Sequence, residues 1–436
     1  MSEGSFIFSF TEGWRAGAQL LCRALWALAL TALLSASGAR AAESQASSPG
    51  HRAAPSSTSA EFARVSKQAS QARKANQLDK AIVLYQEAVK LNPRWDEGWW
   101  YLGTLYYDTN QYARGVAAFR NLVELDRGYG QGWAMLGLCE FETHDYRNSI
   151  IHLQTGLSKG LGGNVELINA VNYHQALIEN MRGDFDGAQT TLSALVARGV
   201  LSNVVKFALG MSLLRVPLLP SQVDPSKDAV INQAGEVGEL IALDDYDQAD
   251  TAFQKLIKDY PTTPFIHYAY GSMLARLARY DEAEKQFNEE IKVNPQSAMA
   301  YLQLAFVDLR LNRGKDALPL AEKAVQLAPD SFAAHYLLGR ALLGAGQVQE
   351  AVKELELARK FGPFSPEVRY SLAEALARDH RPKAAARQRA EFVRLNAILR
   401  QSRSERGSAG QSYRMSNSRG ELGPHQVQEP TGTPPR

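Results

Sequence analysis

The sequence predicts an all-α solenoid, a stack of about eight to nine helix-turn-helix units interrupted once in the middle. Apolar residues recur at i, i+3, i+4 and i+7 through most of the chain, the stripe that lets a helix bury one face. Prolines 261, 295, 329 and 363 stand 34 residues apart, and Ala249, Ala283, Ala317 and Ala351 keep the same step twelve residues ahead of them. Phe253, Phe287, Ala321 and Leu355 form a third column at that period. Several columns sharing one period mean one supersecondary unit repeated, each too small to bury its own apolar face without neighbours.

The 436 residues are 45% hydrophobic and 22% charged with a formal net charge of +2, an ordinary balance that gives no reason to expect a nucleic-acid partner. Cys22 and Cys139 are the only cysteines, too few for a disulfide framework or a multi-cysteine metal site. Residues 1–41 read as a secretory signal peptide. Arg15 and Arg23 precede the apolar run from Ala24 to Leu34, and small residues then lead to Ala39-Arg40-Ala41. The run is shorter than the ~20 residues that span a bilayer. Export to the periplasm or the cell exterior is therefore expected, with an uncleaved membrane anchor as the alternative. Residues 42–61, rich in Ala, Ser and Pro, are expected to be a disordered linker.

The first array, 62–202, holds units 62–95, 96–129, 130–163 and 169–202. Ala81, Tyr85, Ala88 and Pro93 close the first unit; Trp99, Leu102, Gly103 and Tyr106 open the second, with Phe119 in its second helix; Trp133, Leu136 and Gly137 open the third. Gly103, Gly137, Gly271 and Gly339 stand where the first helix crosses the second, and a missing side chain lets the axes approach to ~8–10 Å. The order W-x2-L-G-x2-Y, A-x3-F, P resembles the tetratricopeptide repeat, of a bacterial secreted or periplasmic type, over residues 62–399. That resemblance implies a right-handed superhelix whose concave face is lined by the first helices.

Residues 203–229 break the register. Asn203–Arg215 reads as a first helix, but Pro217, Pro220 and Pro225 forbid its second helix. The segment is either a loop on the solenoid or a hinge or docking element. The second array, 230–399, holds four units and a capping hairpin, 366–399, where Arg369 and Arg389 occupy expected core positions. Residues 400–436 have almost no apolar residues and are expected to be disordered. With Arg378, Arg381, Lys383, Arg387, Arg389 and Arg394 this end is the most positive region, either a solvated cap or a surface attracted to anions.

No phosphate loop, zinc-protease motif or nucleophile elbow is present, so the chain is expected to be no enzyme and to need no cofactor or metal. His267 and His335 read as packing residues and Asp244-Asp245 as turn and cap chemistry. Cys139 reads as a small buried residue. The resemblance implies a protein or peptide partner held by the second, fifth, ninth, twelfth and thirteenth residues of each unit. Those positions give Trp100, Tyr107, Tyr173, Tyr268, Tyr336 and Tyr370 with Arg276, Arg310, Arg340 and Arg378. Tyrosine interleaved with arginine suits an extended, acidic or carboxylate-bearing peptide. The N-terminal groove, with Trp100, Tyr107, Asp108, Phe141 and Glu142, is more apolar and acidic. A scaffold or adaptor of the cell envelope is expected. The alternative is a recognition or assembly subunit for an envelope enzyme or secretion machine. Membrane contact is expected only if the N-terminal segment stays uncleaved.

Overall fold

The computed structural model describes residues 57–414, with side chains up to residue 401. The expected signal peptide, most of the expected linker and the end of the tail lie outside the described residues. The helices run α1 (Ser57–Lys74), α2 (Leu78–Leu91), α3 (Asp96–Asp108), α4 (Tyr112–Leu125), α5 (Gly130–Glu142), α6 (Tyr146–Lys159), α7 (Val165–Met181), α8 (Phe185–Ala197) and α9 (Asn203–Leu213). After two short 3-10 turns come α10 (Asp228–Ala242), α11 (Tyr246–Asp259), α12 (Ile266–Arg276), α13 (Tyr280–Val293) and α14 (Ala298–Arg310). The last are α15 (Gly314–Leu327), α16 (Phe332–Ala345), α17 (Val348–Phe361), α18 (Pro366–Arg378) and α19 (Pro382–Arg414). No strand occurs among the described residues. The chain divides into two compact units, one ending at Tyr270 and one beginning at Gly271.

Each hairpin turns at one residue in the left-handed region. Asn76, Asn110, His144, Asp244, Ala278, Asn312 and His380 have φ between 55° and 65°, and Gly183 and Gly346 occupy the same place at 80° and 83°. That conformation ends the first helix, and Asn, Asp and Gly tolerate it best. One residue later, Asp145, Asp184 and Asp245 cap the second helix, accepting from the amides of Asn148, Gly187 and Gln248. Asp244 and Asp245 thus perform turn and cap chemistry.

Inside four of the hairpins a small residue on the first helix faces a large one on the second. A Cβ placed on Gly103 would come within 2.7 Å of the Phe119 ring, on Gly137 within 2.9 Å of Leu153, on Gly271 within 2.7 Å of Phe287, and on Gly339 within 2.6 Å of Leu355. Real Cβ contacts are not that short, so the large side chain occupies the space that glycine vacates. Phe119, Leu153, Phe287 and Leu355 are all fully buried.

The fourth residue of the first helix reaches back into the turn that joins it to the preceding unit. The indole N–H of Trp99 donates to the carbonyl of Pro93 (2.9 Å) and that of Trp133 to Arg127 (3.0 Å). His335 Nε2 meets the Pro329 carbonyl at 2.8 Å, and the Arg369 guanidinium donates to Pro363 at 3.0 Å. The other end of the side chain meets one position of the second helix: Trp133 against His152 (5.2 Å between rings), His335 with Glu354 (2.6 Å), Arg369 with Gln388 (3.0 Å). Arg369 therefore fills the same role as tryptophan and histidine elsewhere and is not a charge misplaced in a core. His335 is buried, as expected of a packing residue, and is also fully hydrogen-bonded.

Residues 203–229 hold one helix followed by two short 3-10 turns, and its packing is what the sequence left open. Asn203–Leu213 is a buried helix, with Val205, Phe207, Ala208, Leu209, Met211 and Leu213 in the core. It packs directly on α10 through reciprocal glycines. A Cβ on Gly210 would lie 1.9 Å from the Ile231 carbonyl oxygen, and one on Gly235 2.2 Å from that of Lys206. Two first-type helices thus meet backbone to backbone, and the proline segment only bridges them, tucking Leu219 into the core. Arg215, at φ 52°, fastens the junction: it pairs with Asp186 (3.0 Å), donates to the Tyr268 hydroxyl (3.3 Å) and lies 4.9 Å over the Tyr268 ring. The first compact unit therefore continues through residues 203–229 without a break.

Three boundaries move. Helix α1 begins at Ser57, inside the expected linker, and α7 begins at Val165, four residues ahead of the expected unit. Helix α19 runs to Arg414, fifteen residues into the expected disordered tail.

Candidate partner-binding face

The expected contact residues separate by burial. Tyr107 and Tyr268 are 8% and 7% exposed. Tyr107 packs edge-on against Tyr112 at 5.5 Å, and Tyr268 is covered by Arg215 and Phe265. Both rings serve packing and present no surface to a partner, which corrects their assignment. Trp100 is half-buried between Phe119 (5.9 Å) and Tyr129 (5.3 Å), and Tyr173 is half-buried edge-on to His174 (5.5 Å). The sequence could not separate these cases, because an aromatic at the fifth or twelfth position serves equally as core or as contact.

In the second unit the expected residues are more accessible. Arg276, Arg310 and Arg378 are exposed, Tyr336 and Arg340 half-buried, and Tyr370 52% exposed against Phe392. Arg378 donates to Glu374 (2.6 Å) and to the Leu343 carbonyl (3.3 Å). Arg340 donates to the Tyr336 hydroxyl at 3.3 Å, and Tyr336 stacks on Phe332 at 6.2 Å. Arg310 lies 5.9 Å over the Tyr280 ring. Two guanidiniums, Arg310 and Arg340, are thus oriented by tyrosines, and among the described residues neither is paired with a carboxylate.

Phe306 joins this group and was missed. It is 40% exposed on α14, one turn before Arg310, and occupies the ninth position of its unit as Arg340 does in the next. Reading the ninth-residue column without favouring tyrosine and arginine would have found it. Behind the face, Arg313 bridges Glu284 (2.6 Å) and the buried Asp308 (2.8 Å). Burial pushes the Asp308 carboxyl above the usual carboxylate range, against the pull of Arg313.

The first unit offers different chemistry. Asp108 and Glu142 stand at the positions that carry Arg276 and Arg310 in the second. Beneath them Cys139 is fully buried, its thiol pushed well up by burial, as a structural residue requires. His174 is buried against Phe141 (4.7 Å) with Nδ1 at 2.7 Å from the Ala170 carbonyl; burial lowers its pKa, partly offset by Glu142. Among the described residues no group of three His, Cys, Asp or Glu is placed to hold a metal ion, and no helix is long and apolar enough to cross a membrane.

Comparison with known proteins agrees with the repeat geometry. One model of the tetratricopeptide repeat matches residues 308–376, and a second matches 66–129 and 239–298. No curated protein sequence matches. Among solved structures, MamA from Desulfovibrio magneticus RS-1 is 24% identical over 39% of this chain and 97% of its own, with a TM-score of 0.37. YrrB, described as a TPR protein with an unusual peptide-binding site, is 18% identical over 38% of this chain and 86% of its own, with a TM-score of 0.35. Yeast Tom70 is 14% identical over 82% of this chain and 97% of its own, with a TM-score of 0.30. This chain carries tetratricopeptide repeats, and its fold is an α-solenoid of such units.

Proposed function

We propose that the chain is a non-catalytic scaffold of the cell envelope that holds an extended, carboxylate-bearing segment of a partner protein on the first-helix face of its second unit. Tetratricopeptide repeats support protein–protein interaction in general. The finer reading rests on one observation: Arg310 and Arg340 are held by tyrosines instead of carboxylates, beside the exposed ring of Phe306. A guanidinium oriented but not neutralised is ready to fork onto an incoming carboxylate, and the adjacent ring supplies apolar area. Arg276, Tyr370 and Arg378 extend the face to either side. Export through residues 1–41 is part of this proposal and places the partner outside the cytoplasm.

The test is a crosslinking pull-down from cell envelopes, comparing intact protein with an Arg276→Glu/Arg310→Glu/Arg340→Glu variant shown by circular dichroism to be folded. A partner lost from the variant supports the assignment. The same partner kept at equal yield moves binding to the acidic first unit or another face and refutes it.

A further inference from the structure

Among the described residues, the last hairpin leaves one helix face without a neighbour. Ala385 and Leu395 bury the inner side of α19 against α18. The outer side carries Ala386, Ala390, Val393 and Ala397 along one line, all exposed, with Val393 at 64%. At 100° per residue this apolar line is flanked on one side by Arg389 and Arg400 and on the other by Lys383, Arg387 and Arg394. All five cations are exposed. Among the described residues only Arg394 of the five has a carboxylate partner, Glu391 at 2.9 Å, and no acidic residue stands on the outer line. The helix then continues past the capping hairpin to Arg414.

We propose that this outer face docks on an anionic lipid surface, with Val393 and the alanines on its line entering the interface and the flanking cations meeting headgroup phosphates. Arg389 shows what the face is not. It stands in the column that holds Phe119, Leu153, Phe287 and Leu355, all buried. A further repeat stacked here, from a second copy or a partner, would have to bury Arg389 in that column without a carboxylate to pair it. A lipid headgroup layer solvates the cations and accepts the aliphatic line between them, the pattern of helices that lie in a membrane interface. Duplex or single-stranded nucleic acid would satisfy the charge but leave Val393 and the alanines on its line without a partner. This surface is separate from the partner-binding face, so each proposal can fail without the other.

The test is co-sedimentation of the full chain with phosphatidylcholine vesicles and with vesicles containing one-quarter phosphatidylglycerol. The apolar run from Ala24 to Leu34 is common to all variants and both vesicles, so the quantity read is the gain in binding on anionic vesicles. Wild type should show that gain, falling as salt rises. Lys383→Glu/Arg387→Glu/Arg389→Glu should lose it by about tenfold or more. Val393→Ser should weaken it about threefold while leaving the salt dependence unchanged. No gain in wild type, or a gain kept by the charge-reversed variant, overturns the proposal. Equal affinity for heparin with no effect of Val393→Ser would also overturn it, since the face would then be a general polyanion surface.

Discussion

The two compact units solve the same packing problem with different side chains. In the first, rings fill much of the space between helices: Tyr85, Phe119 and Phe253 are fully buried, Trp99, Trp100, Tyr129 and Trp133 pack in the clusters of the first two, and Phe253 stacks on Tyr270 at 4.8 Å. In the second, the core beyond Phe287 is largely alanine: Ala305, Ala317, Ala321, Ala341, Ala351, Ala375 and Ala385 share one cluster with leucines. The difference shows at one facing pair. The first unit sets Gly103 against Phe119, a pairing the second repeats at Gly271 and Phe287, but farther along the second sets Ala305 against Ala321 at the same two positions. One large ring against a bare backbone or two small side chains can fill the place, with neighbouring leucines taking up the difference in volume.

The largest effect should come from breaking the large-small pair. Phe119→Ala removes a ring that nothing else can replace and should cost about 3–5 kcal/mol in guanidinium unfolding. Adding Gly103→Ala converts the pair to the alanine-alanine form of the second unit and should recover about 1 kcal/mol of that loss. The reverse substitution is smaller. Ala321→Phe should overpack by about 1–3 kcal/mol, and Ala305→Gly should relieve most of it. If neither second substitution rescues its partner, the two positions are not coupled and the two cores are independent solutions.

Acid should separate the units by sign. Burial depresses His174 in the first unit below its ordinary 6.5, so the unfolded chain takes up the proton first. Its contribution is fully present above about pH 6.5 and is lost as pH falls through that value toward the folded pKa. Asp308 in the second unit is shifted the other way: its raised carboxyl favours the folded state at low pH and loses that advantage as pH rises past about 3.8. Unfolding midpoints measured from pH 7 to pH 5 should fall, and His174→Gln should flatten that limb. An unchanged slope would assign the acid sensitivity to other groups.

These particulars show what the sequence made legible. The period of 34 and its columns are packing requirements, and packing recurs in every unit, so both the helices and their small-large pairs could be read. The fourth-residue column was opaque because Trp99, Trp133, His335 and Arg369 share no size, charge or hydrophobicity. They share only an N–H that reaches the same carbonyl, which becomes visible in space. The pairing of α9 with α10 was hidden for a related reason. Gly210 and Gly235 look like ordinary repeat glycines, and their role depends on which helix lies opposite. For the binding face the residue types were legible and their exposure was not, so Tyr268 and Tyr336 looked alike although one is covered by Arg215.

The smallest effect concerns the hairpin turns that have a tyrosine two residues after the left-handed position. In the first unit these are Asn110, His144 and Asp244, and each bonds that tyrosine's hydroxyl: Tyr112 at 2.9 Å, Tyr146 at 2.9 Å and Tyr246 at 2.6 Å. In the second unit the corresponding residue is Ala278, at φ 58°, two residues before Tyr280. Alanine carries a Cβ into a conformation that costs about 1 kcal/mol and offers nothing to the hydroxyl. Ala278→Gly should therefore stabilise by about 0.5 kcal/mol, since relief of strain exceeds the added freedom of the unfolded chain. Ala278→Asn should gain about 1 kcal/mol, because it tolerates the left-handed turn and also supplies the acceptor. Adding Tyr280→Phe to Ala278→Asn separates the two contributions. Loss of only the excess over glycine would show that the turn bond was transplanted from one unit to the other. Loss of nothing would mean that the Tyr280 hydroxyl stays turned away, with its ring kept for Arg310.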